Sequence, residues 1–311
     1  MPEITASGTE KTTGMGKVNA RMVFPAGNRN RTAARVQAGV LRWLVRIAAL
    51  LTAAVLLFLI GYILVMGIPN LKPSLFEWEY NSDNVSLMPA LINTVLMTAF
   101  SLVIATPLGI FAAIWLVEYA KRGNKLVRVV RVTTETLQGI PSIVYGLVGL
   151  MVLVPFIRET FNTAAGESLL AAIVVLAVMI LPSIISVSET ALNAVPREYE
   201  EASLALGATD IETYFRISAP AAKSGIAAAV VLGVGRAIGE AMAIMMVAGN
   251  VANMPNLLSS VRFLTTGIAV ELAYSSGLQR QALFSIGLVL FLFIMCINVI
   301  LNVFLKRDKE G

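Results

Sequence analysis

The stretch Glu201-Ala202-Ser203-Leu204-Ala205-Leu206-Gly207 is followed, nine residues further on, by Ile217-Ser218-Ala219-Pro220, and both lie between two long apolar runs. Residues 196–206 are rich in helix formers, and Gly207 can take the left-handed conformation that ends a helix without steric cost. Residues 211–217 predict a second short helix, stopped at Pro220. The pattern reads as a helix-turn-helix at a membrane surface, within a loop over residues 191–223. An ordinary polar connection also uses Gly and Pro as punctuation. The functional weight therefore rests on the joint spacing.

Working outward, the composition sets the environment of this loop. Of 311 residues, 57% are hydrophobic and 14% charged, and the mean hydropathy is +0.78. Those values exclude a soluble globular domain and describe an all-α polytopic membrane protein. Runs without Asp, Glu, Lys or Arg cover residues 47–71, 84–117, 136–157, 168–188 and 281–305. Each is long enough for a helix to cross a hydrocarbon core of about 30 Å. A sixth run, 224–249, is interrupted only by Arg236 and Glu240, so six transmembrane helices are expected. Pro89 and Pro107 should limit or kink the second span, and Pro182 the fourth.

Lysine and arginine orient the spans. Lys11, Lys17, Arg21, Arg29, Arg31, Arg35, Arg42 and Arg46 precede or open the first span, Lys121, Arg122, Lys125, Arg128 and Arg131 follow the second, and Lys306, Arg307 and Lys309 close the chain. The other side holds only Lys72, Arg158, Arg262 and Arg280. This bias predicts both termini and the 191–223 loop in the cytoplasm. Residues 1–40 are polar and basic, and predict a disordered cytoplasmic tail, with the membrane domain over residues 41–308. The net charge of +5 then reflects membrane orientation, not nucleic-acid binding. A cleavable signal peptide is not expected, because the first apolar run begins near residue 41 and exceeds a signal core in length.

Absences narrow the chemistry. The chain has no histidine and a single cysteine, Cys296, which excludes the usual zinc sites and Ser-His triads and leaves no metal site expected. It also lacks a G-x-x-x-x-G-K-[ST] phosphate loop. If ATP drives this protein, another subunit binds the ATP and Mg.

The fifth run contains Gly233-Val234-Gly235-Arg236-Ala237-Ile238-Gly239-Glu240. A charged residue near a helix centre in a membrane costs roughly 2.5–3.5 kcal/mol on insertion scales, so Arg236 and Glu240 should face a cavity or a partner. Their i, i+4 spacing places both on one helix face, where they can neutralise each other. Alternatively, Arg236 serves as an anion site, since a guanidinium grips tetrahedral oxyanions through two parallel hydrogen bonds. Gly233, Gly235 and Gly239, with Gly225 and Ala229, form ladders of small residues suited to close helix approach. A short repeat, Ile140-Pro141-Ser142-Ile143 and Leu181-Pro182-Ser183-Ile184, is too brief to imply duplication. The outer segment 250–280 could receive another protein or hold a re-entrant helix.

The loop resembles the EAA loop of ABC importer permeases, in which E-A-A, three residues, Gly, nine residues, Ile, one residue and Leu-Pro occupy fixed positions. Glu201, Ala202, Gly207, Ile217 and Pro220 match, whereas Ser203 and Ala219 depart while staying small. The resemblance implies the type I (MetI-like) permease fold and a loop that sits in a cleft on an ATPase subunit. The segment 235–243, with Ile140-Pro141-Ser142-Ile143-Val144-Tyr145-Gly146, Val247-Ala248-Gly249-Asn250 and residues 277–283, is similar to PstC-type permeases of phosphate-specific importers. Ala241 replaces the threonine expected there. PstA-type permeases are similar to a lesser degree. By this resemblance the chain is a permease subunit in the cell membrane and not an enzyme. Its implied partners are a PstA-type permease, two copies of an ATP-binding subunit and an extracytoplasmic phosphate-binding protein. Arg236 and Glu240 would then form a phosphate-selective gate. A sulfate or molybdate importer would keep the loop and change this site. An ion-coupled secondary transporter would have no use for the loop.

Overall fold

The computed structural model describes residues 31–81, 84–118 and 125–310. Of the expected tail, residues 1–30 lie outside the described residues. Residues 31–40 already belong to the first helix, α1 (Arg31–Gly67).

The chain divides at Phe58/Leu59. The first unit, as far as it is described, is the N-terminal part of α1, with Leu41, Trp43, Leu50 and Leu57 exposed. So apolar a surface on a long helix calls for lipid or a partner protein to cover it.

The second unit begins within α1 and is helical almost throughout. Its helices are α2 (Met88–Glu118), α3 (Lys125–Gly139), α4 (Ser142–Val148), α5 (Val154–Phe161), α6 (Leu169–Asn193), α7 (Arg197–Ala205), α8 (Asp210–Thr213), α9 (Ala219–Ala221), α10 (Lys223–Gly239), α11 (Met242–Val247), α12 (Leu264–Glu271) and α13 (Gly277–Glu310). Five segments among the described residues are long and apolar enough to span a membrane: Ala38–Asn70, Met88–Val117, Ser142–Phe161, Leu169–Asn193 and Gly277–Leu301. The expected sixth is shorter. Helix α10 has 17 residues, about 25 Å at 1.5 Å per residue, and meets the preceding Asp210–Ala221 segment at a 67° bend.

Helix α6 is the axis of the bundle. Leu176, Met179, Ile180, Ile184 and Ser188 are buried along it, and α2 and α10 pack against it. Small residues set the spacing. A Cβ on Gly109 of α2 would come within 2.7 Å of Ile184 Cγ2, and one on Gly233 of α10 within 3.2 Å of Ile184 Cδ1. Close backbone approach of this kind compensates for the weak hydrophobic driving force between helices in lipid.

Prolines act differently at different places. Helices α2 and α6 continue through Pro107 and Pro182. The expected third span, in contrast, breaks at Ile140-Pro141, so that α3 stops at Gly139 and the span starts at Ser142. Proline offers no amide donor and forces the residue before it away from helical backbone.

The segment that follows α11 closes the N-terminal end of α6. Carbonyls of Val247, Ser259 and Leu257 accept the backbone N–H groups of Ser168, Leu169 and Leu170 at 3.0, 3.3 and 2.9 Å. These are amides that a helix start leaves open. The segment also contains α12, with Leu264 and Thr266 buried. Arg262 pairs with Glu271 at 2.7 Å.

Candidate functional site: Arg236 and the surface loop

Arg236 and Glu240 do not share a helix face. Helix α10 ends at Gly239, and Glu240 has extended backbone with φ −75° and ψ 126°. The expected mutual neutralisation is therefore absent: the ion pairs among the described residues are Arg131–Glu189 and Arg262–Glu271. The cause is local competition. Glu240 Oε1 accepts the backbone N–H of Ala243 at 3.0 Å, satisfying an amide at the start of α11 as a capping side chain does. The Glu240 carbonyl accepts the Thr265 hydroxyl at 2.9 Å.

Arg236 instead reaches across to α6. Its Nη1–H donates to Ser183 Oγ at 2.6 Å, one residue after Pro182. Gln138 at the end of α3 donates to the Pro182 carbonyl at 3.0 Å. The Tyr145 hydroxyl of α4 donates to the Leu137 carbonyl at 2.7 Å. A series of hydrogen bonds thus links α4 to α3, α3 to α6 and α6 to α10, with Arg236 forming the last of them. Its guanidinium carries five N–H donors, and only the bond to Ser183 engages them among the described residues. Among the described residues no carboxylate forms an ion pair with it.

The small-residue ladder is only partly used within the chain. Gly225 abuts Ala191, and Gly233 abuts Ile184. Gly235 and Gly239, expected to pack helices, face open space: a Cβ on either would meet nothing within 4 Å. Both residues are exposed, because α6 lies on the opposite side of α10, against Gly233.

The loop has the expected helix-turn-helix form, with one correction. Helix α7 ends before Gly207, whose φ is +88°. Thr209 then caps α8 reciprocally with Glu212. The Thr209 backbone N–H and hydroxyl hold the Glu212 carboxyl below its ordinary value of 4.5. Pro220 does not stop the second helix. The chain passes through a π turn, Tyr214–Ser218, in which the Ala219 N–H bonds to the Tyr214 carbonyl, and Pro220 opens the next turn. The missing amide of Pro220 is what the wider turn accommodates.

Two bonds tie the halves together. Ser218 Oγ donates to Glu200 Oε1 at 2.8 Å, and the Ser203 and Thr213 hydroxyls lie 2.8 Å apart. Ser203, one of the two departures from the EAA pattern, is thus a structural hydroxyl. Glu201, Ala202, Gly207, Ile217 and Pro220 are all exposed, together with Leu206 at 90% and Ile211 at 58%. An acidic rim around projecting apolar side chains suits a protein surface, not an anionic lipid.

The sequence had singled out Arg236 but not Ser183, Gln138 or Tyr145. The available signal was the Pro-Ser pair inside an apolar run, a hydroxyl in a membrane span. Nothing in the linear order ties Ser183 to Arg236.

An apolar helical bundle with five segments long enough to span a bilayer and a two-helix loop at its surface is a multi-pass membrane protein. The comparisons identify which kind. Residues 105–308 match the model of the "Binding-protein-dependent transport system inner membrane component" family, and the chain belongs to that family. A probable ABC transporter permease protein, YqgH, of Bacillus subtilis strain 168 is 42% identical over 219 residues, 68% of this chain and 70% of the relative. The phosphate transport system permease protein PstC of Pasteurella multocida is 32% identical over 257 residues, covering 76% and 80%. Among solved structures, a bacterial ABC transporter involved in alginate import aligns with TM-score 0.59 at 15% identity, over 88% of this chain and 99% of the other. The MetNI methionine ABC transporter aligns with TM-score 0.53 at 23% identity, over 71% and 94%. The fold is that of ABC importer permeases. The chain is therefore a multi-pass subunit of an ABC importer in the cell membrane, a transport component and not an enzyme, working with an ATPase and a binding protein.

Proposed function

We propose that this chain is the PstC-like permease of an ATP-driven importer of inorganic phosphate. It forms half of the translocation path, opposite a PstA-type permease. The 191–223 loop docks one of two ATPase copies, which hold the ATP and Mg, and the outer face receives a phosphate-binding protein. Both termini and the loop face the cytoplasm in this reading.

The observation that carries the substrate is Arg236. A guanidinium in a membrane span is retained at high cost, and this one has a hydroxyl for a partner where a carboxylate would have cancelled it. Its remaining donors suit a tetrahedral oxyanion bound in a bidentate fashion. The likeness to PstC-type permeases supports phosphate over other oxyanions. Glu240 supplies the discrimination through the carboxylate oxygen that does not cap α11: phosphate carries a proton and donates a hydrogen bond that this oxygen accepts, whereas sulfate meets it as an unpaired like charge.

The test is uptake of labelled phosphate and sulfate by proteoliposomes containing the whole complex. Arg236→Gln should abolish phosphate uptake with assembly intact, and Arg236→Lys should recover little, since a lysine lacks the fork. Glu240→Gln keeps an acceptor for Ala243 N–H and removes the charge, so it should admit sulfate. Normal phosphate uptake by Arg236→Gln would reduce Arg236 to a structural group.

A further inference from the structure

Ser183 belongs to a repeat too brief to imply duplication, yet its hydroxyl meets Arg236 directly. Several threonine hydroxyls in this bundle bond back to the carbonyl four residues earlier. Thr94, Thr134, Thr136 and Thr190 all do so, at 2.7–2.9 Å. Ser183 does not: among the described residues its one bond is the N–H it accepts from Arg236 at 2.6 Å. A hydroxyl carries one proton and two lone pairs. One lone pair is taken by the guanidinium, and the proton is uncommitted.

We propose that Ser183 is a second anion ligand, donating its hydroxyl proton to the same oxyanion that Arg236 holds. The inference rests on the reading of Arg236 as the anion site and extends it. The proposed site is a two-donor clamp: Arg236 Nη1 occupies one lone pair of the Ser183 oxygen, and in this proposal the remaining guanidinium N–H groups and the Ser183 proton engage the same anion. Gln138 is the positioning residue. Its bond to the Pro182 carbonyl anchors α6 immediately before Ser183, at a point where Pro182 has already removed one rung of the helix ladder. Leu181-Pro182-Ser183 thereby becomes a fixed wall of the site.

A charge-assisted hydrogen bond of this kind changes binding by about tenfold or more when removed. In proteoliposomes of the full complex, Ser183→Ala should lower phosphate uptake about tenfold, with the ATPase subunit retained, and Ser183→Thr should restore most of it. A second measurement does not depend on transport rate. In a Cys296→Ser background, modification of Ser183→Cys by a methanethiosulfonate reagent should be slowed by millimolar phosphate and not by chloride. This readout also stands if Ser183→Ala fails to assemble. Wild-type uptake by Ser183→Ala, or labelling indifferent to phosphate, would overturn the assignment while leaving the phosphate reading intact. If the wild-type complex imports sulfate or molybdate in place of phosphate, the substrate reading falls, and the same variants measured with that anion decide Ser183.

Discussion

At the scale of single residues, the bundle depends on places where no side chain fits. A Cβ on Gly146 would lie 2.7 Å from the Ala243 carbonyl oxygen and 2.8 Å from its Cα, so α4 meets α11 backbone to backbone. Gly146→Val must push these elements apart, at a cost of about 1–3 kcal/mol or more. The expected outcome is a lowered Tm of the detergent-solubilised complex, read by thermal unfolding. Gly207 differs in kind. Its surroundings are open, but its φ of +88° penalises any β-branched residue. Gly207→Val should leave the bundle folded and disrupt the turn between α7 and α8. Glu201→Lys, at an exposed position, should reverse a docking charge. In both variants, co-purification of the ATPase subunit should fall while membrane insertion, followed by protease resistance, stays normal. Full uptake by either variant would count against the docking role.

Among elements, two π turns share one cause. Gly149–Leu153 and Tyr214–Ser218 each close with a bond spanning five residues, and each ends two residues before a proline, Pro155 and Pro220. A proline cannot supply the next amide, so the ladder widens ahead of it. Pro155→Ala and Pro220→Ala should relax these turns to regular α-helix. The second change should rotate Ile217 relative to α10 and weaken ATPase retention. The capping box at Thr209 and Glu212 gives the loop a pH signature. The Glu212 carboxyl is held below 4.5 in the folded loop, so its contribution is complete above that value and is lost as pH falls through the lowered one. Docking should be flat from about pH 5 to 8 for this group. Thr209→Val should weaken ATPase retention at pH 7, measured by pull-down, and remove the acid-dependent component.

For the whole molecule, function requires partners. The purified chain should hydrolyse no ATP, since its sequence offers no phosphate loop, and ATPase activity of the isolated polypeptide would contradict its place as a permease. Gly235 and Gly239 open away from the chain's own helices, a vacancy that a second permease fills in the proposed heterodimer. Orientation is testable through cysteines. In a Cys296→Ser background, Lys309→Cys should react with impermeant reagents only from the cytoplasmic side, and Ser275→Cys only from outside.

Much of this protein could be read directly from its residues. Long charge-free runs dictate membrane helices, because a backbone in lipid must satisfy its own hydrogen bonds. The Glu201 to Pro220 spacing marked the surface loop, since Gly207 and the capping residues act over a few positions. Arg236 stood out because a charge in an apolar run is costly wherever the neighbours lie. What could not be read is how that charge is answered. The spacing of Arg236 and Glu240 implied a pair, and only the folded chain ends α10 between them and sends Glu240 to cap α11. Ser183 lies 53 residues away along the chain, and Gln138 reaches Pro182 across 44. Local pattern decides which segments are helical. Which side chain completes a site depends on helix packing through Gly109, Gly146 and Gly233, a property of three-dimensional contact that no linear spacing encodes.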